Sequence, residues 1–133
     1  MKKIFLTLFA ILSVFQMSAQ LVSVDELAKI IKDPNLVVID ARPAGDYLKT
    51  HIDGAINIDA ISRSSNTPAE GALKSAADLA AIFGSNGVSP KNKVVIYCKT
   101  GVSAGRMYWV MKHIGFKDVS LLDGNMQGWF AAR

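Results

Sequence analysis

The chain has 133 residues, 15 of them Lys or Arg against 11 Asp or Glu, with half of all residues hydrophobic and a single cysteine. This composition excludes a disordered chain, a disulfide framework and a metal site built from several thiolates. The net charge of +4 belongs in part to the first twenty residues, which differ in kind from the rest.

Met1-Lys2-Lys3 is a short cationic start, and Ile4 to Phe15 is an apolar run interrupted only by Thr7 and Ser13. A spanning helix needs about 20 apolar residues, so this run is too short to cross a bilayer. It ends in Met17-Ser18-Ala19-Gln20, where Ala19 is the small residue after which a peptidase would cut. Residues 1–19 therefore read as a secretory signal peptide and residues 20–133 as one domain. Met17, third before the cut, is larger than the pattern prefers, which leaves an uncleaved signal anchor as the alternative. The expected location is outside the cytoplasm, the periplasm first and secretion second. Cleavage removes Lys2 and Lys3 and leaves 13 basic residues against 11 acidic ones. No Lys/Arg cluster of the nucleic-acid type remains, and neither nucleic acid nor, after cleavage, a membrane is an expected partner. An exported chain with one cysteine cannot close an internal disulfide. Cys98 is then a buried inert thiol, a link between chains, or a reactive group.

Ser23-Val24-Asp25-Glu26 has the form of a capping box and opens a helix with Leu27, Ile30 and Ile31 on one face, stopped by Pro34. Leu36-Val37-Val38-Ile39 is a continuous apolar, β-branched run of buried-strand length, ending at Asp40-Ala41-Arg42-Pro43. A short helical turn through Asp46 and Tyr47 follows, then a brief strand over Ala55–Ile58. The polar stretch from Asp59 to Lys74 reads as an exposed loop, within which Ser62 to Gly71 is a candidate partner-facing lip. Ser75 caps a helix that turns Leu79, Ile82 and Phe83 inward and ends at Gly84 and Gly87. Val94–Tyr97 is the most strand-like run and delivers Cys98 to the strand's carboxyl end. A helix is predicted from Ala104 to His113, with Met107, Val110, Met111 and Ile114 at helical spacing and Gly115 as its stop. Val119–Leu122 is a last strand, Asp123-Gly124 a turn, and Met126 to Ala132 a final helix. Trp109 and Trp129 read as packing residues. Strands alternating with helices over short connections predict an α/β domain with a parallel central sheet flanked by helices on both faces.

In open α/β sheets reactive groups collect where strands end and helices begin. Cys98-Lys99-Thr100-Gly101-Val102-Ser103 sits at such a point. Backbone N–H groups of the short loop can turn inward as an anion-binding nest, the helix dipole adds about half a positive charge, and Lys99 adds a cation. All three favour thiolate over thiol. Arg106, in the first helical turn, either reaches an anionic substrate or faces solvent. Asp40 and Arg42 read as structural, the carboxylate accepting backbone N–H bonds and Arg42 pairing with Asp46 four residues on. His51 reads as a hydrogen-bonded anchor for the loop before Gly54.

The segment Cys98-Lys99-Thr100-Gly101-Val102-Ser103-Ala104 resembles the active-site loop of the rhodanese family, Cys-x-x-Gly-x-Ser/Thr/Arg-Ala/Ser. Three further segments agree in order. Val38-Ile39-Asp40-Ala41-Arg42 with Asp46-Tyr47 resembles the family's Asp-x-Arg strand end; His51-Ile52-Asp53-Gly54-Ala55-Ile56-Asn57-Ile58 is similar to its His-Ile-Pro-Gly-Ala-x-Asn signature; Leu122-Asp123-Gly124 with Gly128-Trp129 resembles its closing motif. The resemblance runs from Ser23 to Trp129. It implies a sulfurtransferase in which Cys98 takes the outer sulfur of thiosulfate or a persulfide as Cys98–S–S⁻ and a thiol or cyanide removes it, with no metal or organic cofactor. Lys99, Thr100, Gly101, Val102, Ser103 and Arg106 would line the substrate site, supported by Asp40, Arg42 and His51.

This chain departs from the family at Thr100 and Asp46, where members efficient with thiosulfate often carry cations. It also departs at Asp53, where Pro is usual, and at Asn125, where a second Gly usually follows the closing Asp-Gly. The chain stops at Arg133, where relatives commonly continue. Two other readings stand beside the enzyme. One is a sulfur carrier or docking module serving an exported partner protein. The other is a phosphatase or arsenate reductase, which needs an Arg six residues after the Cys to clamp its anion, where this chain has Ala104.

Overall fold

The computed structural model describes residues 20–59 and 72–133; the expected signal segment 1–19 and most of the expected polar loop lie outside the described residues. The elements follow in the order β1 (Leu21–Val22), α1 (Val24–Ile30), β2 (Leu36–Asp40), α2 (Ala44–Lys49), β3 (Ile56–Asn57), α3 (Ala76–Ser85), β4 (Lys93–Tyr97), α4 (Val102–His113), β5 (Val119–Leu122) and α5 (Asn125–Ala132). The five strands form one sheet in the order β1-β5-β4-β2-β3, and every pairing is parallel. The expected α/β architecture is thus the one observed.

Helices cover both faces, which is why the central strands are apolar at consecutive positions rather than at alternate ones. Side chains two apart on a strand share a face. Ile39, Val94, Ile96 and Val119 therefore pack with Leu79 and Phe83 of α3 and Met107, Val110 and Met111 of α4. Val38, Val95, Tyr97 and Leu122 point the other way, against Leu27 of α1 and Met126 of α5. Each fully buried side chain of this kind stabilises the fold by roughly 1.5–3 kcal/mol relative to exposure.

Local chemistry sets the element ends. The Ser23 hydroxyl accepts from Glu26 N–H at 3.2 Å while Ser23 N–H donates to the Glu26 carboxylate at 2.8 Å, closing the capping box that starts α1. The Ser75 hydroxyl accepts from Asp78 N–H in the same way for α3.

Several boundaries differ from expectation. β3 is only Ile56–Asn57, and α3 runs past Gly84 to Ser85. The helix after Cys98 begins two residues early, at Val102, because Gly101 takes the N-cap position with φ 95°. Trp109 is a correction: it is 57% exposed on the outer side of α4 and stacks on His113 at 5.4 Å rather than filling a core. Trp129 is half-buried beside the α1/α5 cluster. Among the described residues, no helix is long and apolar enough to cross a membrane.

Candidate active site

The carboxyl ends of β2, β4 and β5 lie side by side, so Asp40, Cys98 and the turn at Asp123-Gly124 meet at one end of the sheet. Cys98 is 2% exposed. Its Sγ accepts hydrogen bonds from Gly101 N–H at 3.0 Å and Ala104 N–H at 3.4 Å. Gly101 reaches inward because its left-handed conformation bends the chain sharply between strand and helix, a conformation that strongly favours glycine. The sulfur thus sits among N–H groups at the amino end of α4, where the helix dipole is positive. A sulfur so enclosed could join a second chain only if the loop opened.

Lys99, Thr100 and Val102 are exposed, while Gly101 and Ser103 are half-buried. Arg106 is exposed on α4, one turn beyond Val102. An open cleft of about 340 Å³ lies at this end of the sheet, lined by Arg42, Asp46, Lys99, Met126 and Gln127. Of the expected site residues the cleft brings together Lys99, Arg42 and Asp46, whereas Thr100, Gly101, Val102, Ser103, Arg106 and His51 stand apart from its lining. The His51 Nδ1 donates to the Tyr47 carbonyl at 2.8 Å and its ring stacks on Tyr47 at 3.9 Å.

Beneath the cleft is a buried polar cluster. Asp40 accepts from Arg42 at both carboxylate oxygens, through Nε at 2.9 Å to Oδ1 and Nη2 at 2.6 Å to Oδ2. Arg42 also donates to the Thr50 carbonyl at 2.7 Å. The Tyr97 hydroxyl donates to Asp40 Oδ2 at 2.8 Å and accepts from Ile52 N–H at 3.0 Å. Asn57 closes the cluster by donating to the carbonyls of Asp40 and Arg42. The hydrogen bonds that Arg42 donates to Asp40 hold the guanidinium protonated more firmly than usual, against the opposing effect of burial. Burial pushes the Tyr97 phenol well above its ordinary range.

The expected Arg42–Asp46 pair is therefore corrected to Arg42–Asp40. Arg42 lies in non-helical chain before Pro43, so the helical four-residue spacing does not apply to it. Asp46 instead lies 3.9 Å from Lys49 within α2.

The sequence alone does not mark Tyr97 or Asn125 as a site residue. Tyr97 reads there only as a strand residue, although a hydroxyl buried on a strand must find partners. Asn125 has φ 52°, and its Oδ1 accepts from Cys98 N–H at 3.1 Å. The next residue, Met126, donates its N–H to the Cys98 carbonyl at 3.1 Å. Both backbone groups of the cysteine are thus held by the start of α5.

The family profile of the rhodanese-like domain matches residues 23–132. The chain belongs to the rhodanese-like family. A thiosulfate sulfurtransferase from Pseudomonas aeruginosa is 33% identical over 122 residues, which cover 90% of this chain and 45% of that protein. A 3-mercaptopyruvate sulfurtransferase from Escherichia coli is 32% identical over 120 residues, covering 81% of this chain and 43% of the relative. The crystal structure of SseA from Escherichia coli, a 3-mercaptopyruvate sulfotransferase, superposes with a TM-score of 0.78 at 29% identity, over 86% of this chain and 48% of that one. This rhodanese-like chain spans less than half the length of each of these three proteins.

Proposed function

We propose that this chain is a rhodanese-type sulfurtransferase with Cys98 as its covalent carrier. The observation that carries the reading is the pair of backbone N–H groups, Gly101 and Ala104, aimed at Cys98 Sγ. Fixed donors of this kind stabilise an anionic sulfur without reorganising, both as thiolate and as the loaded persulfide. The thiolate attacks the outer sulfur of the donor. The new bond is Cys98 Sγ–S, the donor's bond to that sulfur breaks, and the electron pair leaves with the donor, as sulfite from thiosulfate, as a thiolate from a persulfide, or as the enolate of pyruvate, which takes up the thiol proton, from 3-mercaptopyruvate. A thiol or cyanide then attacks the outer sulfur, and Cys98 leaves again as thiolate.

The cleft lining supports an anionic donor, since Lys99 and Arg42 face it together. Asp46 shares that cleft, and Thr100 adds no charge, so a singly charged persulfide or mercaptopyruvate suits it better than doubly charged thiosulfate. The proposal includes export, with residues 1–19 removed and the domain working in the periplasm on a small donor or an exported partner protein. At the sixth position after the cysteine, Ala104 contributes a backbone N–H and no guanidinium, which weighs against a phosphatase or arsenate reductase.

The test is mass spectrometry of the protein after exposure to thiosulfate, polysulfide and 3-mercaptopyruvate. A gain of one sulfur on Cys98 is expected with at least one donor and is lost in Cys98→Ser. Absence of an adduct with all three would overturn the reading in favour of a docking module.

A further inference from the structure

We propose that Asn125, in the closing turn before α5, is a positioning residue for Cys98. The inference rests on the sulfur-transfer reading above and assigns a task to a side chain that reading leaves unused.

Gly124 and Asn125 both have positive φ, 80° and 52°, and together they turn the chain from β5 into α5. The backbone at residue 125 could be met by glycine, and asparagine is one of the few residues with a side chain that tolerates it. What asparagine adds is its amide. Cys98 N–H is an obligate donor, so the amide atom 3.1 Å away must be the oxygen. Nδ2 then necessarily faces the other way, toward Gly101, where it lies 3.4 Å from the place a β-carbon would occupy.

One half-buried side chain therefore meets both ends of the Cys98–Gly101 loop. At one end it holds the backbone of the sulfur-bearing residue. At the other it fills the space beside the glycine whose N–H donates to that sulfur at 3.0 Å. The last registered pair between β4 and β5 is Ile96–Leu121, so beyond it the amide oxygen supplies an acceptor that the β5 strand does not. Tying the two ends together keeps Gly101 N–H aimed at Sγ.

The experiment compares wild type, Asn125→Gly and Asn125→Asp in the full chain. Gly keeps the turn and removes the amide. Asp keeps the turn and the acceptor oxygen but puts an anion beside Gly101. The readouts are the rate of Cys98 alkylation by iodoacetamide against pH, kcat and KM for sulfur transfer to cyanide, and thermal melting. The ionisable groups on the surrounding elements, namely Lys99 in the loop, Arg42 and Asp46 across the cleft, Arg106 on α4 and Asp123 before α5, are the same in all three proteins. In Asn125→Gly, kcat falls on the order of tenfold with KM within about twofold, and the alkylation profile moves to higher pH. In Asn125→Asp the profile also moves to higher pH, through repulsion of the thiolate, while kcat recovers toward wild type at alkaline pH. A wild-type alkylation profile and kcat in Asn125→Gly overturn the proposal. Should that variant fail to fold, an Asn125→Asp profile at the wild-type position does the same. If wild type itself transfers no sulfur, the alkylation measurement still decides the role of Asn125, and the sulfur-transfer reading fails separately.

Discussion

Replacing Tyr97 by Phe removes one oxygen atom from the buried cluster and leaves the ring in place. Tyr97, Asp40 and Ile52 are all 0% exposed, so water does not simply take over the vacated position. Two hydrogen bonds are lost, one to a carboxylate at 2.8 Å and one from Ile52 N–H at 3.0 Å. A bond to a charged acceptor contributes about 1.5–3 kcal/mol, and a buried N–H left unpaired costs about 1–3 kcal/mol. The two losses share an environment in which Arg42 still satisfies Asp40, so they do not add fully, and the expected destabilisation is about 3 kcal/mol. For a domain of this size that is a fall in melting temperature of roughly 10 °C.

Urea unfolding of wild type and Tyr97→Phe at neutral pH measures this directly, with a lower midpoint and an unchanged slope expected. The pH dependence supplies a second reading. Burial raises the Tyr97 pKa in the folded state, so its contribution is complete below the unfolded value of about 10 and is lost as pH rises beyond it. Wild type should therefore lose stability more steeply above about pH 10 than Tyr97→Phe, and the two curves should converge there. A difference below about 0.5 kcal/mol at neutral pH, with parallel alkaline limbs, would refute the assignment of the hydroxyl as a buried keystone.

Two further outcomes follow from the same geometry. Arg42→Ala strands the Asp40 carboxylate in the interior and should cost about 3–5 kcal/mol, whereas Arg42→Lys restores charge without the two-pronged contact and recovers only part of it; both are read from urea midpoints. At the start of α1, the hydrogen bond from Ser23 N–H, followed by that from its hydroxyl, lowers the Glu26 pKa below 4.5. Its stabilising effect is present above that value and is lost as pH falls through the lowered one, so Glu26→Gln should flatten the acid limb of the melting temperature measured from pH 5 downward.

Where structure depends on neighbours in sequence, the residues announce it. Leu36–Ile39 and Val94–Tyr97 are apolar without alternation because each is covered on both faces, Val119–Leu122 is interrupted only by Ser120, and each run is a strand. The Ser23 and Ser75 caps are equally local. β1 is not legible in this way: two residues carry no period, and Leu21–Val22 becomes a strand only because β5 lies alongside. Strand order is likewise a property of the crossovers and not of any strand's composition. At the site, Cys98 stands out through the loop that follows it, whereas Asn125 acts across a separation of 27 residues. A residue with a side chain in a turn where glycine would serve is the signal that could have marked it. The Arg42 partner is not legible from spacing, because a four-residue separation joins side chains on a helix and Arg42 lies at a bend between β2 and α2.

Among the described residues the sheet is bounded on both sides by strands of two residues, β1 and β3. An edge strand offers unpaired backbone groups on which a foreign strand can build, and its hazard grows with its length. Here the three strands richest in Val, Ile and Leu occupy only interior places, and each border is too short to template an addition of useful length. Leu21 and Val22 thus do more than extend the sheet by one member. They screen the flank of β5, and a chain beginning after Ser23 would present Val119–Leu122 to solution as an open, apolar border along which copies could join.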